Sequence, residues 1–316
     1  PITYLRLAIT DRCNLRCRYC MPEEGVTAVK HEETLSYEEL ERLVRLFQEL
    51  GITKVRITGG EPFARRGCFE FFKRLKCGLG IEQLYVTTNG VATHHYLDGL
   101  KEIGISGINL SLDTLDRERF KELTRRDRLD DVLLTLNRSL ELGITVKINS
   151  VVMDETRDTD IIELVELIRD RSISLRFIEF MPFSGSSLER VPPRIALRER
   201  LRTIFPDLQE YNSSIASTAR EFTLPNYSGT VGIIEGHSRK FCATCNKIRI
   251  TPEGMLKACL YDNGVLDLRK MLRREAGDQE LSDSIRTCLN HRYGDGHETE
   301  AVNGRDQEPS MASIGG

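Results

Sequence analysis

Ile2-Thr3-Tyr4-Leu5-Arg6-Leu7-Ala8-Ile9 runs directly into Thr10-Asp11-Arg12-Cys13-Asn14-Leu15-Arg16-Cys17-Arg18-Tyr19-Cys20-Met21-Pro22. The first part is apolar and β-rich, as a half-buried strand prefers. The second is a polar turn with three cysteines spaced C-x3-C-x2-C. A strand that ends in chemistry-bearing side chains reads as the opening of a βα unit, whose site lies at the strand's carboxyl end.

The same texture repeats downstream. Strands are expected at Thr53–Thr58, Leu84–Thr88, Gly107–Leu112, Thr145–Val152 and Leu175–Phe180. Amphipathic helices fall between them. One opens on Ser36 with Glu39 three residues on, a capping box. Its apolar stripe is Leu40, Leu43, Val44 and Phe47, and Gly51 ends it. Another carries Ile161, Leu164, Val165 and Ile168. Six βα units imply an α/β fold with a parallel sheet and right-handed crossovers. Eight would close a full barrel. Six leave a partial barrel or a doubly wound sheet, and polar residues at every strand end favour the partial barrel.

From Ser184 the texture changes. Ser184-Gly185-Ser186-Ser187 and Pro192-Pro193 mark a boundary, dividing the chain into a barrel over 1–183 and a C-terminal region over 184–316. A helix is expected at 195–205, a weakly patterned polar stretch at 206–228, then a strand at Thr230–Ile234. Lys247–Thr251 and Met255–Cys259 form a hairpin around Pro252-Glu253-Gly254. The last 40 residues read as polar and mobile.

Composition limits the function classes. The chain has 316 residues, 45 basic against 48 acidic side chains and a net charge of −3, which excludes a generic nucleic-acid binder. No apolar run approaches the roughly 18 residues of a membrane span, and no signal peptide is visible. A cytoplasmic protein is expected, although the chain opens on Pro1 and a short leader ahead of it fits equally. The nine cysteines are odd in number, so a disulfide framework is not expected. Six of them fall into two groups of three.

Cys13, Cys17 and Cys20 can wrap one corner of a cuboidal 4Fe–4S cluster, leaving the fourth iron open to a ligand. Arg12, Arg16 and Arg18 favour the thiolates. Zinc with a fourth ligand elsewhere is the alternative. Thr58-Gly59-Gly60-Glu61-Pro62 follows the second strand; its glycines admit close backbone approach. Glu61 either accepts from a ligand ammonium or sits in a plain βα turn. Thr87-Thr88-Asn89-Gly90, Asn109, Ser111 and Glu179-Phe180-Met181-Pro182 gather at further strand ends.

Cys242, Cys245 and Cys259 form C-x2-C-x13-C. In the expected hairpin Thr251 faces Met255 and Lys247 faces Cys259, which returns the third thiol to the first two. A zinc site completed by His237 remains open at this point. Cys288 is the other candidate fourth ligand but reads more simply as a buried helical thiol, and Cys68 and Cys77 read as structural.

C-x3-C-x2-C after the first strand, with Gly-Gly-Glu-Pro after the second, resembles the radical S-adenosylmethionine superfamily. There the open iron chelates S-adenosylmethionine and its cleavage yields a 5′-deoxyadenosyl radical. The second cysteine group within Phe241–Thr251 and Lys257–Leu260, the stretch Arg176–Pro182 and the end Ser313-Ile314-Gly315-Gly316 resemble its GTP 3′,8-cyclase branch over essentially the whole chain.

The resemblance implies an incomplete (βα)6 TIM-like barrel, with a C-terminal segment carrying the second of two 4Fe–4S clusters. It implies hydrogen removal from ribose C3′ of GTP and attack on purine C8, the first step of molybdenum-cofactor biosynthesis. The metal ligands are then Cys13, Cys17, Cys20, Cys242, Cys245 and Cys259. Tyr19, Gly60, Ser111 and Met181 match S-adenosylmethionine positions. Arg6, Arg56, Thr87, Lys147, Arg176, Lys247 and Arg249 match or supplement GTP positions, with Lys54 a further basic candidate. The family commonly has Arg where Lys247 stands, so bidentate geometry is lost there. Arg249, Gly315 and Gly316 are assigned catalytic roles. The implied partners are GTP, cyclic pyranopterin monophosphate synthase downstream, an electron donor of flavodoxin or ferredoxin type, and a second copy in a homodimer. Two rival readings stand beside this one: a peptide-modifying radical enzyme with an auxiliary cluster, and a non-catalytic zinc-stabilised nucleotide binder.

Overall fold

All six expected strands of the first part form, each within two residues of its expected ends. They are β1 (Tyr4–Ala8), β2 (Lys54–Thr58), β3 (Gln83–Thr88), β4 (Gly107–Ser111), β5 (Val146–Val152) and β6 (Ser174–Glu179). The structure is a computed structural model describing residues 2–25, 29–180, 195–211, 219–236, 245–291, 298, 299 and 314. Later strands are β7 (Gln209–Tyr211), β8 (Arg220–Thr223), β9 (Thr230–Ile234), β10 (Lys247–Ile250), β11 (Met255–Lys257) and β12 (Leu266–Asp267).

One sheet holds them in the order β12-β11-β10-β1-β2-β3-β4-β5-β6-β9-β8-β7. From β10 through β9 every pairing is parallel. The C-terminal region therefore lengthens the barrel sheet at both ends. Antiparallel hairpins finish each side.

Ridges of Leu, Ile, Val and Phe on the outer face of the strands pack against helices in two clusters. The helix Tyr37–Glu49 opens with the expected capping box: Glu39 N–H donates to Ser36 Oγ at 3.1 Å, and Ser36 N–H to Glu39 Oε2 at 2.7 Å. It buries Leu40, Leu43, Val44 and Phe47 against β1–β3. The helix Asp158–Leu167 buries Ile161, Leu164 and Val165 against the β4–β6 side.

Three expectations need correction. The stretch 206–228 contains the β7–β8 hairpin, whose outer strand is exposed throughout and so lacks an alternating pattern. The last 40 residues include the helix Asp278–Asn290, held by buried Leu281 and Ile285. Cys77 is exposed, and Cys288 only partly buried. Cys68 is buried in the core, as expected.

Candidate active site

Parallel register places residues of matching parity side by side across neighbouring strands, about 4.8 Å apart. On the inner face Lys247, Tyr4, Lys54 and Gln83 make one row. Arg249, Arg6, Arg56 and Tyr85 make the next. Thr87, Asn109 and Lys147 follow, then Ser111, Asn149, Arg176, Gly232 and Glu221.

All of these residues except Tyr85 and Gly232 line a cavity of about 690 Å³. It runs from Thr53 and Lys54 at the start of β2 to Gly59 and Gly60 beyond its end, a span of about 20 Å at a strand's rise per residue. Cys13, Cys17, Tyr19 and Cys20 line it at the carboxyl ends of the strands.

Among the described lining residues, seven are basic: Arg6, Lys54, Arg56, Lys147, Arg176, Lys247 and Arg249. Only Glu179 and Glu221 oppose them with carboxylates. Burial and mutual repulsion weaken the protons' hold. Lys54, Lys147 and Lys247 fall to about 8, Arg56 to about 10 and Arg249 to about 9, burial being the largest cause in each case. Aromatic faces compensate in part. The Tyr4 ring lies 4.9 Å from Lys54 Nζ and 5.7 Å from Lys247 Nζ, and Tyr85 lies 4.5 Å from Lys54 Nζ. Several polar atoms here are buried without a partner: Arg56 Nε, Arg176 Nε, Thr87 Oγ1, both amide atoms of Asn109, and Asn149 Oδ1. Buried donors and acceptors left unpaired are costly, so this wall suits a polar occupant, and its seven basic side chains favour an anionic one.

The other end is tied together by loop-to-loop bonds. Gly60 N–H donates to Thr10 C=O at 2.7 Å and Glu61 N–H to Arg12 C=O at 2.8 Å. A Cβ on Gly60 would lie 2.4 Å from the Arg12 carbonyl oxygen. The Tyr19 hydroxyl donates to Asp113 Oδ2 at 2.8 Å, and Asp113 also receives the Val151 N–H. Burial raises the Asp113 carboxyl to about 6. Burial pushes the Cys13 thiol up to about 11 and the Cys17 thiol well above its usual value, with Cys13 and Cys20 close enough to add to the latter. Among the described residues, no three His, Cys, Asp or Glu side chains converge on a single-ion site. A cuboidal cluster instead takes each thiolate on a different iron. Three neighbouring thiols beside one cavity fit such a donor set.

At the second group the β10–β11 register pairs Arg249 with Lys257 and Ile250 with Leu256. Its two ladder pairs keep the register expected of the hairpin, and β11 ends at Lys257, two residues before Cys259. Cys245 and Cys259 do not line the cavity, but their neighbours Asn246 and Leu260 do. Met181, Cys242, His237, Gly315 and Gly316 lie outside the described residues.

The Radical SAM superfamily model matches residues 7–168, and the Molybdenum Cofactor Synthesis C model residues 173–298. The GTP 3′,8-cyclase of Heliobacterium modesticaldum is 39% identical over 325 residues, covering 100% of this chain and 98% of that protein. This chain belongs to the GTP 3′,8-cyclase family. The mitochondrial GTP 3′,8-cyclase of Arabidopsis thaliana is 40% identical over 286 residues, 90% of this chain and 73% of its own. Molybdenum cofactor biosynthesis protein 1 of Drosophila melanogaster, 38% identical across 90% of this chain, is a longer protein of which the match covers 51%. Streptococcus suis SuiB bound to S-adenosylmethionine superposes with a TM-score of 0.64 at 20% identity, over 90% of this chain and 68% of that one; this likeness is one of fold. No helix among the described residues is long and apolar enough to cross a membrane.

For a GTP 3′,8-cyclase family member, the cavity gathers Tyr19, Gly60, Ser111, Arg6, Arg56, Thr87, Lys147, Arg176, Lys247, Arg249 and the first three cysteines around one space. Of its two readings, Glu61 takes that of a turn residue. It is fully buried, stands outside the cavity lining, and is engaged by neighbouring loops. Sequence reasoning missed Tyr4, Tyr85, Asn149, Asp113 and Glu221. The first three share a face with assigned residues two positions away, which alternation could have revealed. Asp113 and Glu221 had no local signal.

Proposed function

We propose that this chain converts GTP to 3′,8-cyclo-7,8-dihydro-GTP by hydrogen removal at ribose C3′ and bond formation to purine C8. One observation carries the reading within this family: a single cavity has three thiols at one end and seven basic side chains along its wall. A triphosphate brings about four negative charges at neutral pH and is held best by several cations in a low-dielectric site.

Cys13, Cys17 and Cys20 would hold one 4Fe–4S cluster, and Cys242, Cys245 and Cys259 the other. When bound, the first cluster with S-adenosylmethionine supplies the electron and the carbon radical that start the reaction. Gly60 leaves backbone room beside that site, Tyr19 and Ser111 line it, and Met181 completes the proposed set. Arg6, Lys54, Arg56, Lys147 and Arg176 hold the phosphates, while Thr87 and Asn109 offer hydrogen bonds to the sugar. Lys247 and Arg249 connect this wall to the second cysteine group. Ile314 is buried, 3% exposed, and to Gly315 and Gly316, which follow it in sequence, we assign a catalytic role.

We also assign this chain a cytoplasmic setting, a homodimeric assembly, a flavodoxin- or ferredoxin-type electron donor, and cyclic pyranopterin monophosphate synthase as the enzyme that consumes its product. The functional division falls near residue 183. Anaerobic incubation with GTP, S-adenosylmethionine and reductant tests the activity: mass spectrometry should find the cyclised nucleotide, and 5′-deoxyadenosine without it would refute the reading. Removing Gly315 and Gly316 should lower turnover while sparing the iron content.

A further inference from the structure

Glu61 accepts the Phe63 N–H at 3.1 Å, the Thr88 hydroxyl at 2.8 Å and the Asn89 N–H at 2.7 Å. These bonds fix the turn after β3, and that turn carries Asn89 over the first cysteine loop. The Asn89 amide has a defined orientation. Its Oδ1 accepts the Val91 N–H at 3.0 Å, closing an Asx turn. Nδ2 therefore faces the cysteine loop, donating to Asn14 Oδ1 at 2.7 Å and to Cys13 Sγ at 3.6 Å. The same sulfur accepts the Leu15 N–H at 3.4 Å.

We propose that Asn89 is a positioning residue that hydrogen-bonds the Cys13 sulfur and thereby raises the reduction potential of the first iron–sulfur cluster. A donor on a ligand sulfur draws off negative charge, and the reduced, more negative cluster gains more from it than the oxidised one. Glu61 acts one step further back, by holding the Asn89 backbone. The motif glutamate thus serves the cluster's electron affinity through Asn89 and does not bind a ligand itself. The inference rests on Cys13 being a cluster ligand, as proposed above.

The test is a potentiometric titration of the anaerobically reconstituted full chain, followed by EPR, with iron counted in every sample. Asn89→Ser keeps an oxygen for the Val91 N–H but lacks reach to Cys13. Asn89→Asp keeps the shape and replaces the donor with an acceptor. Both variants should retain the parent's iron. The first cluster's midpoint should move to more negative potential in both, further in Asn89→Asp, while the second cluster's stays in place. An unmoved first midpoint with full iron overturns the proposal. Loss of the first cluster in both variants also overturns it, since Asn89 would then secure the loop and not tune the sulfur. A parent protein without iron would instead overturn the cluster assignment itself.

Discussion

Arg6 stands directly beside Arg56 on the parallel β1–β2 ladder, and both enter the cavity. Like charges at adjacent ladder positions repel, and burial adds desolvation. The sheet carries this arrangement partly because the Tyr4 and Tyr85 rings lie 5.4 and 5.5 Å from the Arg56 guanidinium. An arriving polyanion relieves the repulsion, so strain held in the empty protein strengthens binding.

Arg56→Met should therefore separate stability from function. The empty variant should melt at higher temperature than the parent, because a buried cation has gone. Its GTP affinity should fall about 10- to 100-fold, the equivalent of about 1.5–3 kcal/mol for a charge-assisted contact. Thermal unfolding without nucleotide and equilibrium GTP binding measure the two effects. Unchanged affinity would show that Arg56 does not meet the nucleotide.

Lys54 and Lys147 make binding sensitive to pH. Each is lowered to about 8, by burial first, then by Arg56 for Lys54 and by Arg176 for Lys147. Phosphate binds the protonated form, so GTP affinity should fall as pH rises from 7 to 9, roughly 10-fold per lysine engaged. In the empty protein the sign reverses. Between about 8 and the ordinary 10.5 the unfolded chain holds more protons than the folded one. These two lysines thus make stability rise with pH across that window. A pH-independent affinity in calorimetry would remove both from the phosphate site.

Much of this was legible in the sequence, for identifiable reasons. Val55, Ile57, Leu84, Val86, Ile108 and Leu110 are buried in regular parallel strands, so composition and turn spacing locate them. The β10–β11 register followed from one short turn. The joining of β9 to β6 and of β10 to β1 did not, because parallel partners distant in sequence leave no local mark. Glu61 stood between two readings because a motif position says which residue is present, and only the fold shows that its carboxylate is spent on Thr88, Asn89 and Phe63.

Glu221 is the carboxylate that β8 brings to the basic wall. Its row partner across Gly232 is Arg176. A Cβ on Gly232 would meet Arg176 Cγ at 3.1 Å, so the missing side chain gives Arg176 its course over β9. The Tyr211 hydroxyl donates to Glu221 Oε2 at 2.8 Å. A carboxylate here competes with phosphate for Arg176 and Lys147. Glu221→Gln should tighten GTP binding several-fold and steepen its salt dependence, read by titration at two ionic strengths. Weaker binding would mean that Glu221 contacts the nucleotide favourably.

Gly60→Ala tests the close approach of the two loops. The added Cβ would meet the Arg12 and Asp11 carbonyl oxygens at 2.4 and 2.6 Å, and backbone cannot swing aside as a side chain can. The cysteine loop must then separate from the β2 turn. A loss of about 1–3 kcal/mol is expected from overpacking of this kind, measured by denaturant unfolding. S-adenosylmethionine cleavage should fall more steeply than GTP affinity, because the basic wall lies on other rows of the sheet.

The two cysteine groups should fail in different ways. Cys17 lines the cavity between Tyr19 and the other two thiols of its loop, where S-adenosylmethionine is expected. Cys245 precedes Lys247 on the far wall and does not line the cavity itself. Cys17→Ser should abolish 5′-deoxyadenosine formation, while leaving the basic wall able to bind GTP. Cys245→Ser should leave some 5′-deoxyadenosine formation and uncouple it from the nucleotide product, since the wall that orients GTP is disturbed and the radical source is not. Parallel quantification of 5′-deoxyadenosine and cyclised nucleotide in each variant decides the matter. Equal losses of cleavage would mean that both groups serve the radical source, and the division of labour along the cavity would be wrong.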